Sequence, residues 1–370
     1  MSESDQSNSA INKLFASGAI VFIGLTFDYG FLFLNKVILA RSLSNEGYGA
    51  VALGYSLFAM ISSLSILGLN SGTARYLPRY DSKSKQEDVF TSSLQIVVPV
   101  AVVVGIGIYL FSDHIAVSIF HRPSVASIIG IFALAVPFEV LLKILMSVFQ
   151  GTKKYSLKAF VDNISLSAIR ILLVMCALWL GYKEFGVSIA YLLSYAITSI
   201  IAVYVIYSRT NFVPRIASNG YHKELFLFSL PLMLSSVITI LLSDLDTLLM
   251  GYYLGLTEVG TYNVVYSLTF LLTVVLTAFR FIAIPELSES HSNGNLAEVR
   301  SAYKKITFWI TLVTFPPFFV LVLLPKTIIA LTFGLKYTSG SMALVVLSAG
   351  FFFHTLMGPN TATLTSIGDT

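Results

Sequence analysis

Residues 96–110 read IVVPVAVVVGIGIYL and contain no charged side chain. An apolar run of this kind approaches the ~20 residues that an α-helix needs to span a bilayer. The strands of a membrane β-barrel are instead short and alternate polar with apolar side chains. The stretch therefore predicts a transmembrane helix and argues against a barrel.

The rest of the chain has the same character. Of its 370 residues, 56% are apolar and only 11% are charged, and the mean hydropathy is +0.81. A soluble domain typically carries about 25% charged residues, so this chain has too little charge to cover a water-facing surface. We therefore expect most of its surface to face lipid. The single cysteine, Cys176, excludes an internal disulfide.

Ten apolar runs are predicted to be transmembrane helices. They lie at about 16–40, 51–69, 89–111, 125–150, 159–181, 186–208, 224–254, 257–283, 304–325 and 340–358. Prolines fall inside several of these runs. Membrane helices tolerate proline where neighbouring groups satisfy the freed carbonyls.

The lysines and arginines of the loops predict the orientation. The N-terminus and the loops after spans two, four, six and eight hold 14 of them, whereas the opposite loops hold 5. Because cytoplasmic loops carry an excess of these residues, segment 1–15 is predicted to be cytoplasmic. The same loops explain the net charge of +4. No basic stripe interleaved with aromatic residues accompanies them, so no nucleic-acid partner is expected.

Two parts of the chain resemble each other. Three echoes pair NEGYG at 45–49 with TEVGTY at 257–262, YSL at 55–57 with YSL at 266–268, and RYLP at 75–78 with RFI at 280–282, at offsets of 212, 211 and 205 residues. Each echo occupies the same place relative to its spans, which indicates a duplicated unit of six spans. An even number of spans keeps both copies in one orientation, so the copies should be related by an axis along the membrane normal.

The predicted organisation is an all-α polytopic membrane protein of two pseudo-symmetric lobes. The N-lobe, 16–208, holds helices one to six; a cytoplasmic linker covers 209–223; and the C-lobe, 224–370, holds helices seven to ten. A complete second copy needs two more spans. We therefore expect the second lobe to be incomplete and the natural protein to continue past Thr370. The substrate path is expected between the lobes, whose rocking would alternate access.

Ionisable residues inside spans are candidates for function, because charge is costly in hydrocarbon. Arg170, about eleven residues into span five and so near mid-membrane, is the candidate for holding a phosphate, since its guanidinium is a planar bidentate donor. The alternative is a buried arginine paired with a carboxylate. Glu139 and Lys143 share a face of span four. They form either a self-neutralising pair or a substrate-binding pair that opens when a phosphate competes for Lys143.

The remaining candidates are one lysine and four aspartates. Lys36, near the outer end of span one, either binds substrate or extends to the interface. Asp28 has no base one turn away, and a buried carboxylate of this kind could carry a coupling proton; the alternative is a hydrogen bond to another helix. Asp244 and Asp246 face different ways, so one of them is expected to line the cavity in an ion-coupling role. Asp162 is expected to reach the cytoplasmic interface.

The sequence predicts neither an enzyme nor a cofactor. Its five histidines are scattered without a metal-binding spacing. It contains no glycine-rich loop of the kind that cradles nucleotide phosphates. We therefore expect no metal, no catalytic residues and no direct use of ATP.

An ordered set of motifs resembles one family of transporters. The motifs are RSLSNEGYG at 41–49, GLNSGTARYLPRY at 68–80, FSLPL at 228–232, DTLLMG at 246–251, EVGTYN at 258–263 and PELS at 285–288. In this order they are similar to the polysaccharide and lipid-linked oligosaccharide flippases of the multidrug/oligosaccharidyl-lipid/polysaccharide exporter superfamily. Members of that family usually have twelve or fourteen spans, and this chain departs from the pattern by lacking the last ones.

The resemblance implies transport without covalent chemistry. The substrate would be a glycan on a polyprenyl-phosphate-type carrier, moved from the cytoplasmic to the outer leaflet for cell-surface glycan biosynthesis or protein glycosylation. Membrane lipids and glycan-assembly enzymes would be its partners. A multidrug cation antiporter of the same superfamily is the main alternative, and it would need an excess of carboxylates in its cavity. An integral-membrane glycan polymerase or ligase would need a large outer loop, and every outer loop is short.

Overall fold

The computed structural model describes the backbone of residues 27, 29–210, 212, 220–292 and 296–367, and their side chains except those of 278–292, 296–299, 302 and 359–367. Within these ranges, nine helices are long and apolar enough to cross a membrane. They match the second to tenth predicted spans, so the predicted all-α polytopic class is confirmed. The first predicted span, 16–40, begins outside the described residues, and its described part is helical from residue 29 onward.

The first of two compact units ends at Val259. Its helices are α1 (29–42), α2 (Asn45–Ser65), α3 (Leu69–Tyr76), α4 (Lys83–Leu110), α5 (Ser112–His114), α6 (Ala126–Gly151), α7 (Tyr155–Lys158), α8 (Leu166–Trp179), α9 (Lys183–Thr210) and α10 (His222–Tyr253). Short 3₁₀ turns lie at Leu77–Arg79 and Pro123–Val125, and π-helical segments lie at Ile115–Ile119 and Ala159–Ser165. The second π-helical segment joins α7 to α8, so Tyr155–Trp179 forms one span.

Local signals set the ends of α2. Ser44 precedes it, and the Ser44 hydroxyl accepts a hydrogen bond of 2.9 Å from the Gly47 backbone N–H. This bond satisfies one of the donors that every helix leaves free at its N-terminus. After α2, Leu67 and Gly68 both adopt positive φ, at 53° and 70°. The chain thereby turns at Gly68 and begins α3.

Helix α6 is central to the first unit. It contacts α2, α3, α4 and α9, and its side chains at Phe132, Val136 and Val140 are almost fully buried. A helix that is apolar over most of its surface belongs in such a place. By contrast, Val103 and Leu110 on α4 are 71% and 70% exposed, so α4 presents an apolar face to lipid.

Two of the sequence motifs meet where α10 contacts α3. Tyr76 and Phe228 lie edge to face with ring centroids 5.2 Å apart. A Cβ atom at Gly72 would lie 2.2 Å from the Ser229 Oγ, and one at Gly68 would lie 2.4 Å from the Ser229 carbonyl oxygen. Glycine is therefore required for GLNSG to approach FSLPL this closely. Helix α10 falls in the first compact unit. The predicted lobe limits, 16–208 and 224–370, stay a prediction.

The second unit begins at Gly260. It contains most of α11 (Leu256–Ser292), then α12 (Leu296–Leu323), α13 (Pro325–Thr332), a 3₁₀ segment (Leu335–Gly340) and α14 (Ser341–Ile367). Phe318 of α12 stacks on Phe352 of α14 with ring centroids 4.3 Å apart. Pro316 and Pro317 lie inside the continuous α12.

Replacing Gly68 with alanine should destabilise the protein. The new methyl group would collide with backbone at a residue whose φ of +70° disfavours any side chain. Overpacking of this kind costs about 1–3 kcal/mol, so the midpoint of thermal unfolding in detergent should fall. Gly107→Ala is the matched control, because no atom lies within 4 Å of its new methyl group. A wild-type midpoint for Gly68→Ala would contradict the close approach of α3 to α10.

Candidate functional site

Arg170, the predicted phosphate ligand, lies on α8 with only 4% of its surface exposed. Its guanidinium carbon sits 4.8 Å from the centroid of the Tyr191 ring and 5.0 Å from that of Tyr195, both on α9. A cation over an aromatic face gains about 2 kcal/mol when both are removed from water. The Nε atom of Arg170 is buried and makes no hydrogen bond within the described part of the chain.

Two further helices complete the surroundings of Arg170. Tyr55 of α2 lies edge to face with Tyr191, with ring centroids 5.6 Å apart. On α1, the Asn35 side-chain amide donates a hydrogen bond of 2.6 Å to the Tyr191 hydroxyl. We call these five residues the Arg170 cluster. Within it, the Tyr191 and Tyr195 rings face the guanidinium, and Tyr55 and Asn35 each contact Tyr191, so the cluster links residues of four helices.

Among the residues that the structure describes, Arg170 has no bonded acid. In the described ranges, no carboxylate oxygen lies within 4.0 Å of its guanidinium. Glu139 acts on it electrostatically, but Glu139 pairs with Lys143 instead. The alternative prediction, a buried arginine bonded to a carboxylate, is therefore not what the described residues contain.

Glu139 and Lys143 form the predicted ion pair along α6, with Oε1 and Nζ 3.7 Å apart. The Glu139 side chain is 14% exposed and that of Lys143 is 45% exposed, so the lysine reaches outward from the pair. Lys143 also lines a cavity of about 340 Å³, which we call the basic cavity. Its lining residues are Asn70, Ser71, Ala74, Arg75, Lys143, Met146, Ser147, Gln150, Lys158 and Asp162.

A second group of charged candidates lies around Asp244 of α10. The Ser56 hydroxyl of α2 donates a hydrogen bond of 2.9 Å to Asp244 Oδ1, and Lys36 of α1 interacts with this carboxylate electrostatically. Asp246 interacts with Asp244 and accepts a hydrogen bond of 2.7 Å from the Thr247 backbone N–H. Lys36 and Asp244, which the sequence assigned to separate roles, are thus close enough to interact electrostatically. Asp28 lies outside the described residues.

Comparison with known proteins identifies the family. Residues 14–291 match the model of the polysaccharide biosynthesis protein family, which is three quarters of the chain. The chain belongs to this family. It is 23% identical over 359 residues to an uncharacterized membrane protein of Methanocaldococcus jannaschii, covering 91% of this chain and 70% of that protein. It is 24% identical over 239 residues to the succinoglycan biosynthesis transport protein ExoT of Rhizobium meliloti, covering 64% of this chain and 46% of ExoT.

Solved structures of a multidrug resistance MATE family transporter of the MOP superfamily share the fold of this family member. The inward-facing conformation of the MATE family transporter matches with a TM-score of 0.74 at 18% identity, covering 92% of this chain and 81% of the other. The outward-facing conformation matches with a TM-score of 0.66 at 18% identity, covering 96% and 82%. The fold is therefore that of the two-lobed MOP transporters. The predicted resemblance to a polysaccharide flippase family of this superfamily is confirmed.

The sequence predictions missed the uncharged members of the Arg170 cluster. The criterion for a candidate was a charge inside a span, which excludes the neutral residues Asn35, Tyr55, Tyr191 and Tyr195. One signal was available: Tyr191 and Tyr195 are separated by one helical turn and share a face of α9. Such a pair of phenols on one face is a place where a buried cation can bind.

Lys36 and Asp244 should be energetically coupled. Removing either charge alone leaves the other inside the protein without its partner, whereas removing both does not. Lys36→Gln and Asp244→Asn should each destabilise the chain, and the double variant should lose less than the sum, with a coupling free energy of about 0.5–3 kcal/mol. Chemical denaturation in detergent measures the cycle. Additive effects of the two substitutions would show that the charges do not interact.

Proposed function

We propose that this transporter is a flippase for a lipid-linked oligosaccharide or polysaccharide repeat unit. It would carry the unit from the cytoplasmic to the outer leaflet of the cell membrane by alternating access, with the N-terminus in the cytoplasm. Membership of the polysaccharide biosynthesis protein family supports this substrate class. So does the similarity to a succinoglycan biosynthesis transport protein.

The observation that carries the proposal is the Arg170 cluster. A lipid-linked glycan presents a phosphate and a sugar, and the cluster offers a group for each. The guanidinium suits a phosphate because it donates two parallel hydrogen bonds, and its Nε has no competing partner among the described residues. Tyrosine combines a flat apolar face with a hydroxyl, so Tyr55, Tyr191 and Tyr195 suit the mixed apolar and polar surface of a sugar.

The energetic problem of such a transporter is the phosphate. A charge at the bilayer centre costs from ~3 to over 10 kcal/mol, depending on the estimate. A fixed cation inside the protein removes much of that cost, because it replaces the lost water with an oriented donor. The carrier would be a polyprenyl-phosphate-type lipid, whose tails can stay in the membrane while its head group is inside the protein. Glycan-assembly enzymes would supply the substrate, and the chain itself would catalyse no covalent step.

The second candidate is a multidrug cation antiporter of the same superfamily. Asp244 and Asp246 favour it, because carboxylates inside a span attract cations. Against it, Asp244 accepts from Ser56 and interacts with Lys36, so its charge is already partly compensated. Among the described residues, Arg170 packs against aromatic rings and forms no ion pair with a carboxylate. A buried cation without a bonded acid in these ranges favours an anionic substrate.

Arg170→Ala should slow transport by about 100-fold, the effect of removing two charge-assisted hydrogen bonds to a phosphate. Arg170→Lys should be intermediate, because lysine keeps the charge without the planar fork. The measurement reconstitutes the 370-residue chain in proteoliposomes with a fluorescent lipid-linked oligosaccharide. The rate at which an impermeant reductant quenches the label then reports translocation.

Arg209→Ala is the control, because it removes the same side chain from an exposed position at the end of α9. Equal amounts of inserted protein with equal unfolding midpoints would separate lost transport from misfolding. Wild-type transport by Arg170→Ala would remove this residue from the substrate path. Uptake of ethidium without any movement of the glycan, abolished by Asp244→Asn, would establish the antiporter instead.

A further inference from the structure

We propose that the basic cavity is a docking site where the phosphate of the lipid-linked substrate binds before it reaches Arg170. The proposal rests on the proposed function and adds a second phosphate site to it. The two sites would act in sequence on one substrate.

The charges that line the basic cavity favour an anion. Three of its residues, Arg75, Lys143 and Lys158, are cationic, and one, Asp162, is anionic. Neutral hydrogen-bonding side chains complete the polar part of the lining, namely Asn70, Ser71, Ser147 and Gln150. The volume of about 340 Å³ falls at the lower end of the ~300–1,000 Å³ of small-molecule sites. That is space for a phosphate and the part of the molecule next to it.

Two of the cations are held in place by neutral groups. Lys158 Nζ donates a hydrogen bond of 2.8 Å to Gln150 Oε1, and the Arg75 guanidinium lies 5.1 Å from the centroid of the Phe228 ring. Neither contact neutralises the charge, so both cations keep their attraction for a phosphate. Asn70 Oδ1 is buried without a hydrogen-bond partner in the described part of the chain. It can accept from a hydroxyl of the bound head group.

The backbone around the cavity is also unusual. Asp162 lies in the π-helical segment Ala159–Ser165, between α7 and α8. A π-helical turn inserted in an α-helix is rare and frequently lies at a functional site. Asp162 lines the cavity and acts electrostatically on Lys143 and Lys158. Asp162 therefore limits how tightly an anion binds, which a site that must release its ligand requires.

The position of the cavity places it first on the route. Arg75 lies in the last turn of α3 and Lys158 ends α7, next to two of the basic loops that predict the cytoplasmic side. Arg170 follows Lys158 in the same span, about 18 Å further along at 1.5 Å per residue. Lys143 belongs to the cavity, and its partner Glu139 acts on Arg170. The two phosphate sites are thus connected through one ion pair.

Phosphate binding should respond to the sign of the charge that is changed. The 370-residue chain in neutral-lipid nanodiscs is titrated with a polyprenyl phosphate, and binding is followed by native mass spectrometry. Lys158→Gln and Arg75→Gln should each weaken binding about tenfold, the loss of one charge-assisted hydrogen bond. Asp162→Asn should tighten it severalfold, because it removes the one carboxylate of the lining. Lys85→Gln, at an exposed position outside the cavity, should bind as the wild type does.

A purely structural cavity gives a different result. Each substitution would then change the unfolding midpoint and leave the affinity unchanged, or Asp162→Asn would weaken binding as the lysine variant does. Either outcome overturns the proposal. Inorganic phosphate and phosphatidylglycerol are titrated as separate probes. Competition by inorganic phosphate at the affinity of the polyprenyl phosphate would assign the site to free phosphate, and tighter binding of phosphatidylglycerol would assign it to bulk lipid; both overturn the docking role.

The translocation assay separates the two proposals. If the chain moves the labelled glycan and Lys158→Gln binds polyprenyl phosphate normally, the docking site fails and the flippase stands. If the cavity variants follow the expected signs while the chain moves no glycan, the flippase fails as an activity and the anion site stands. Saturating substrate provides one more check: a docking residue should raise the half-saturating concentration more than it lowers the maximal rate.

Discussion

A cation kept out of water must find its compensation inside the protein, and the first compact unit is arranged around this requirement for Arg170. The charge sits on α8, and the two rings that face it come from α9. Tyr55 of α2 packs on one of these rings, and Asn35 of α1 donates to its hydroxyl, so contacts around the guanidinium link four helices. Rings and hydroxyls compensate a cation less completely than a carboxylate does, so this assembly keeps an attraction for an anion that a fully paired arginine would lose.

Close packing of the helices decides where the other polar groups meet. The glycines of GLNSG let α10 approach α3 at Ser229, and α10 also contacts α2, where Ser56 donates to Asp244. A bulkier residue at Gly68 would displace the helix that carries Asp244. The motif that resembles the flippase family is thus a structural requirement of this unit, and its functional consequence is the position of a carboxylate near Lys36. The arginine of that same motif, Arg75, lines the basic cavity.

Hydropathy was sufficient for the helices, because only helices and closed barrels satisfy the backbone in lipid, and a run such as 96–110 lacks the alternation of a barrel strand. Charge inside a span was sufficient to find Arg170, Lys143 and Asp244, because such charge is costly and rare. The sequence shows that Tyr191 and Tyr195 share a face of α9, but it does not show whether that face is buried. Tyr204 and Tyr207 of α9 are 69% and 65% exposed, whereas Tyr191 and Tyr195 of the same helix are buried. Aromatic residues occur both at the lipid-facing surface and inside a helix bundle. Only the positions of α2 and α8 decide whether a tyrosine of α9 is buried or faces lipid. The proximity of Lys36 to Asp244 likewise depends on tertiary contacts between distant parts of the chain.

A transporter must also be stable when it is empty, and this requirement gives meaning to the Glu139–Lys143 pair. If Lys143 had no partner, the empty protein would carry a cluster of like charges between the basic cavity and Arg170. Glu139 provides the anion that is missing in that state, at 3.7 Å from Lys143. On the proposed function, a phosphate that arrives at Lys143 replaces Glu139 as the partner of the lysine. The released Glu139 carboxylate then acts more strongly on Arg170. The Glu139 carboxylate would then offset part of the attraction between Arg170 and the phosphate. Neither site would hold the substrate too tightly to release it.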